Sequence, residues 1–241
     1  MRVWWDRRLK VMRVSTVAII VSLILLLIFA GFTIYGNKVG NFVINVDSIH
    51  SEIRLSLSSQ SNLSKQTDRL AYNSVMALND TSYSFLPEDI SSRGFGNVSD
   101  FENGNYLAYT FYLINNSDRA VDYDMDLMLV DTVGDPLGML RVMLIEEEND
   151  TFDASNRIYA LGESSAENEE RLQSELQNLL PYRTENFLLG ENKIFSVNAK
   201  DFAAGAYRKY TVVMWLEGCD PDCTNEKLGS RAKVQLDIHG Y

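Results

Sequence analysis

The chain has 241 residues, a formal net charge of −11 and 46% hydrophobic residues, with aromatic side chains at 11%. This apolar content excludes a disordered polymer, and the length suits one folded domain with a real core. The acidic balance excludes the basic surface that sequence-independent nucleic-acid binding needs, so no nucleic-acid partner is expected.

Residues 1–13, MRVWWDRRLKVMR, carry five cationic side chains against the single Asp6. Residues 14–35, VSTVAIIVSLILLLIFAGFTIY, follow without a charge. As a helix these 22 residues reach about 33 Å, enough for the hydrocarbon core of a bilayer. Lipid offers the backbone no partners, so such a segment must be helical. The basic tail belongs on the cytoplasmic side, which sends residues 36–241 outward. Trp4, Trp5 and Tyr35 are placed as interfacial anchors. Two processing fates fit. One is an uncleaved signal anchor that binds the bilayer through residues 14–35. The other is a leader removed near Gly31–Thr33, although the apolar run exceeds an ordinary leader core.

The outward part reads as mainly β. GNFVINVD, with Phe42, Ile44 and Val46 alternating, predicts a first strand, and EIRLSLS a second. Residues 63–78 carry apolar positions at helical spacing, Leu63, Leu70, Ala71, Val75 and Leu78, and predict a helix. GFGNVS, with its glycines, predicts a loop. NYLAYTFYLINN, AVDYDMDLMLVDT, MLRVMLIEE and NRIYAL follow as strands. In the second of these, Tyr123, Met125, Leu127 and Leu129 take one face and Asp122, Asp124 and Asp126 the other. Residues 164–181, SSAENEERLQSELQNLLP, predict a helix with a leucine stripe, ended by Pro181. NKIFSVNAKDF, YRKYTVVMWLEG and RAKVQLDIHGY complete the set. The apolar TVVMWL predicts a central strand covered on both faces, while Val234, Leu236 and Ile238 should point inward from the last strand. The expected fold is a transmembrane helix followed by a two-sheet antiparallel sandwich with one or two short helices. Jelly-roll and immunoglobulin-like topologies both fit.

Catalytic signatures are missing. The chain has only His50 and His239, with no H-E-x-x-H and no G-x-S-x-G, so no enzyme is expected. Asp122, Asp124 and Asp126 share a strand face and read as a solvated face or a charged edge that blocks strand pairing; given further oxygens, three like charges in a row would instead bind a hard cation such as calcium. Asn-x-Ser/Thr occurs at Asn62, Asn79, Asn97, Asn115 and Asn149, a set that matters only where glycans are added.

The stretch WLEGCDPDCTNE holds the only cysteines, Cys219 and Cys223. Their spacing fits neither a thioredoxin pair nor a four-ligand zinc site. Three readings stay open: a disulfide Cys219–Cys223 that staples a turn in an oxidising compartment, free thiols, or a calcium site. For calcium, Glu217, Asp220, Asp222 and Asn225 supply the oxygens within one loop, and no other cofactor is expected.

GNFVINVD, NYLAYTFYLINNSDRAVDYDMDLML and AYRKYTVVMWLEGCDPDCTNEKLG together resemble the TasA/camelysin family of exported Gram-positive proteins, over residues 39–239. The resemblance implies a jelly-roll-like sandwich on the cell surface or in a biofilm matrix. It also implies a structural or adhesive role, with protein partners or self-assembly. Some members lend an N-terminal strand to a neighbour, and the matching stretch here is Gly40 to Asp47. The metalloprotease activity attributed to the family has no zinc motif to carry it in this chain. An outward module that binds calcium or carbohydrate, resting on the acidic turn and the aromatic strand YLAYTFYL, is the alternative.

Overall fold

The computed structural model describes residues 19–26, 42–48, 50–72, 79–92, 96–99, 105–148, 155–162 and 182–241. The chain divides between Gly40 and Asn41 into two units. In the first, residues 19–26 are helical. Among the described residues no helix is long and apolar enough to cross a membrane. Residues 19–26 are the only part of the expected span 14–35 that is described, and the remainder lies outside the described residues.

The second unit is mainly β. Its strands are β1 (Phe42–Ser48), β2 (Leu55–Ser58), β3 (Arg69–Tyr72), β4 (Asp80–Thr81), β5 (Gly96–Ser99), β6 (Tyr106–Asn115) and β7 (Val121–Val133). They continue with β8 (Leu140–Glu148), β9 (Ser155–Ala160), β10 (Thr184–Asn186), β11 (Lys193–Phe202), β12 (Tyr207–Glu217) and β13 (Arg231–Gly240). One sheet runs β11-β7-β13-β1-β3. The other runs β10-β9-β8-β12-β6-β2, with β4 added to β12 and β5 to β6.

The two sheets share one core. Alternation turns Tyr123, Met125 and Leu127 of β7 and Val234, Leu236 and Ile238 of β13 inward, and all are buried, as expected. They meet Tyr109, Phe111 and Leu113 of β6 and Val212 and Met214 of β12. Phe42 stacks on Tyr109 with ring centroids 4.4 Å apart, so β1 is fastened to the opposite sheet. Sheet β10–β2 is also covered on its outer face, where Val213 and Trp215 of β12 pack with Tyr106, Met143, Ile145 and Ile158. Tyr83, Leu86, Ile90 and Tyr182 lie over them. TVVMWL therefore lacks alternation because both of its faces are inside.

Four expectations change. Residues 63–78 do not begin as a helix: Leu63 takes a left-handed backbone, Thr67 bridges to Leu57, and Arg69–Tyr72 pair antiparallel with β1. Long-range pairing with β1 overrides an ambiguous local spacing. GFGNVS is not all loop, because Gly96–Ser99 pair with Thr110–Leu107 of β6. The sheets are mixed rather than antiparallel: β1 pairs parallel with β13, β4 with β12 and β10 with β9. Strands are also more numerous than the sequence suggests, because β4 and β10 are too short to leave a periodic signal. The helix expected over residues 164–181 lies outside the described residues.

Candidate functional site

The acidic turn after β12 is where the sequence concentrates its unusual residues. β12 runs inward at Met214 and outward at Trp215 and Glu217, so Glu217 enters the covered outer face and is 1% exposed. A buried carboxylate needs donors, and Glu217 has them. Its Oε2 accepts from Trp215 Nε1 at 3.1 Å, from the Tyr182 hydroxyl at 2.8 Å and from the Tyr83 backbone N–H at 3.4 Å. Its Oε1 accepts from the Cys219 N–H at 3.3 Å. Tyr83, Tyr182 and Trp215 form an aromatic cluster around it, with centroids 4.8 to 6.4 Å apart.

Asp220 turns inward one step later. Its Oδ2 lies 2.5 Å from a guanidinium nitrogen of Arg141 on β8, and both side chains are almost wholly buried. Arg141 also donates to the carbonyls of Gly138 and Leu140 at 2.9 and 3.1 Å. Burial lowers the Arg141 pKa, but Tyr182 and Asp220 outweigh it, so the group stays firmly cationic. The Asp220 Oδ1 accepts the Asp222 N–H at 2.8 Å, and the Cys223 N–H returns to the Asp220 carbonyl at 2.9 Å. Asp220 thus ties the turn to itself and to β8.

Cys219 and Cys223 are not bonded to each other; both are half-buried thiols. In this structure the turn is fastened by Asp220, through its side chain and its carbonyl. Burial pushes the Cys223 thiol pKa up, and Asp80, Asp220 and Glu217 push it further, so it is a poor nucleophile. Of the expected calcium ligands, Glu217 and Asp220 spend their oxygens on protein donors. Asp222 is half-exposed and lies 3.7 Å from Lys227, and Asn225 is exposed. Among the described residues no group of three or more His, Cys, Asp or Glu side chains is placed to hold a metal ion.

A second polar centre joins the sheets, and the sequence reading missed it. Tyr123 of β7 and Tyr210 of β12 are fully buried, and their hydroxyls hydrogen-bond to one another. Arg208 donates to Tyr123 at 3.0 Å, and Tyr210 donates to Glu146 at 3.2 Å. The chain of donors thus runs Arg208 to Tyr123 to Tyr210 to Glu146 and links a cation to a carboxylate. The guanidinium also lies over the rings of Tyr123 and Phe202, at 5.8 and 5.2 Å. Burial first, and the neighbouring phenol and carboxylate next, raise the Tyr210 pKa far above its ordinary value, so it stays a neutral donor. The available signal was a tyrosine at an inward position on each of two strands, next to Arg208.

Asp122, Asp124 and Asp126 share the outer face of β7, as expected, and each has a partner. Asp122 accepts the Asp201 N–H at 2.9 Å, Asp124 accepts from Asn198 at 2.7 Å and Asp126 pairs with Lys193 at 3.0 Å. β7 lies between β11 and β13, so this row is not an edge. His239 is exposed at the outward register, as expected. In the aromatic strand YLAYTFYL the rings of Tyr106, Tyr109, Phe111 and Tyr112 are buried, and Leu107 is partly exposed. Asn115 is also fully buried and donates to the carbonyls of Arg119, Phe202 and Ala203, which removes it from the accessible Asn-x-Ser/Thr set. A shallow depression of about 390 Å³ is lined by Ser51, Glu52, Arg54, Asp118 and Arg119. Its exposed ion pairs, Arg54–Asp118 at 3.3 Å and Arg119–Glu52 at 4.0 Å, do not form a reactive constellation. The chain matches no protein-family model, no curated protein and no solved structure.

Proposed function

We propose that this is a membrane-tethered surface β-sandwich protein with a structural or adhesive role, not an enzyme. The observation that carries the reading is the helix at residues 19–26. Ile19, Ile20, Val21, Leu23, Ile24, Leu25 and Leu26 are each 49 to 67% exposed, on every side of it. A helix in water hides its apolar residues along one stripe, whereas one that is apolar all round suits lipid. The partnered charges of the second unit support the structural role. Buried Glu217, Asp220 and Arg141 hold a turn, and part-buried Arg208 reaches from β12 to Tyr123 of the other sheet. In this reading residues 14–35 lie in the bilayer, residues 1–13 lie inside, and the β unit faces out.

Protease applied to intact cells producing the full chain tests this. The expected result is loss of the β unit with a membrane-retained fragment containing residues 1–35. A β unit that is cut only after lysis would overturn the reading. Self-assembly by strand exchange is part of the same proposal. β1 contributes Phe42 and Ile44 to the core between β13 and β3, a place that a neighbour's residues 40–47 would fill equally well. Deleting residues 40–47 would open that core, so the informative probe is an excess of the free 40–48 peptide. Polymers that grow unchanged in its presence would remove strand exchange from the proposal.

A further inference from the structure

We infer that the β unit is a load-bearing link, in which tension between its two ends is carried in shear by the parallel β1–β13 pair. The inference deepens the tethered reading above and rests on it for the source of the tension.

The geometry follows from the register. Phe42 lies opposite Val234 and Ser48 opposite Gly240, with every intervening residue paired. The N-terminal end of β1 and the C-terminal end of β13 are therefore at opposite ends of one parallel ladder. Pulling them apart slides the two strands along each other. The evenly spaced bonds of a parallel ladder are then loaded together, whereas strands parted from a common end lose their bonds one at a time.

The other contacts make β1 the element that must slide and resist its first step. β13 is held on its far side by β7 from Arg231 to Gly240. β1 is held on its far side by β3 at Phe42 to Asn45, and the Val46 N–H reaches the Asp68 carbonyl at 2.9 Å. Asn45 adds a side-chain bond across the ladder to Asp237 at 2.9 Å. Phe42 and Ile44 are buried in the shared core. A slip of one residue turns both to the wrong face, and only a slip of two, about 7 Å, restores the pleat. By then Phe42 has left Tyr109. No partial slide is a resting place, so the ladder resists and then fails in one step.

Single-molecule pulling on the full chain in detergent tests this, with rupture of the β unit recognised by a gain of about 700 Å in contour length. The first arm has handles at the two chain ends. The second has handles at the N-terminus and after Leu228, which is exposed just before β13. The third has handles after His50, just past β1, and at the C-terminus. The last two arms part β1 and β13 from a common end, and either one suffices if the other insertion prevents folding. The expected result is a rupture force several times greater in the first arm. Equal forces in the shear and parting arms would overturn the inference. Neither result touches the anchoring reading, which protease access decides separately.

Discussion

Replacing Asp220 by Ala isolates what fastens the acidic turn. The substitution leaves Arg141, 1% exposed, without its buried counter-charge, and it frees the Asp222 N–H. Removing one partner of a buried pair costs about 3–5 kcal/mol, because the remaining charge stays desolvated. For a domain of this size that lowers Tm by roughly 6–20 °C. Asp220→Asn keeps one acceptor oxygen but turns an amide N–H toward the other donor and leaves Arg141 without a counter-charge, so it should lose nearly as much as Asp220→Ala. Arg141→Met in the Asp220→Ala background should recover much of the loss, since no charge is then stranded. Urea unfolding of the full chain in detergent measures all three. A loss below about 1 kcal/mol for Asp220→Ala, the scale of an exposed pair, would refute the argument. Calcium added to the wild type provides an independent check. If these oxygens serve a cation instead, calcium raises the wild-type midpoint and Asp220→Ala abolishes that rise.

Other perturbations probe the remaining polar contacts. Tyr210→Phe leaves buried Tyr123 and Glu146 each one bond short, so unfolding should become easier by about 1–3 kcal/mol, and Tyr123→Phe added to it should cost less than it does alone. Alkaline titration should show Tyr72, Tyr123, Tyr159 and Tyr210 resisting ionisation above the ordinary value of 10.0, because burial raises each. The folded state then holds protons that the unfolded state releases, so stability falls as pH rises through 10. Ionisation of all twelve tyrosines without unfolding would contradict this. Cys223 should react with iodoacetamide more slowly than a free thiol at neutral pH and speed up in Asp220→Ala; equal rates would refute the raised thiol pKa. Thr110→Val with Thr211→Val removes a buried 2.9 Å hydroxyl pair as a unit and should change stability by less than about 1 kcal/mol, whereas Thr211→Val alone strands Thr110 and should cost more.

Period-two alternation made β7 and β13 legible, because each has one face in the core and one in water. β12 was legible for the opposite reason: an unbroken apolar run is what a strand covered on both faces requires. What failed was decided far away in sequence. β3 has no strong pattern of its own and becomes a strand because Arg69–Tyr72 meet the free side of β1. β4 exists because Leu216 and Glu217 of β12 still need partners where the ladder to β6 has ended. At the candidate site, the acidic residues could be named from sequence, but their partner could not. Arg141 is distant along the chain, and its alternating neighbours Leu140 and Val142 make it look like one outward residue on a half-solvated strand. A second sheet face that is also buried is invisible in any local window.

That second buried face explains why charge is tolerated inside. A strand such as β12, apolar on both sides, loses little hydrophobic burial when it slips by one residue, so hydrophobicity alone specifies its register weakly. The buried polar residues remove the degeneracy. Thr211 lies opposite Thr110 and bonds to it; Lys209 lies opposite Glu147 and pairs with it at 2.9 Å. Tyr210, facing the other way, meets Glu146 of β8 and Tyr123 of the other sheet. A slip of one residue would strand each of these groups at once, at about 1–3 kcal/mol for each neutral group and more for the charged ones. The wrong registers of β12 are thereby raised well above the right one, although the same contacts add little net stability. Polar pins at Lys209, Tyr210 and Thr211 do for the doubly covered sheet what polar–apolar alternation does for β13.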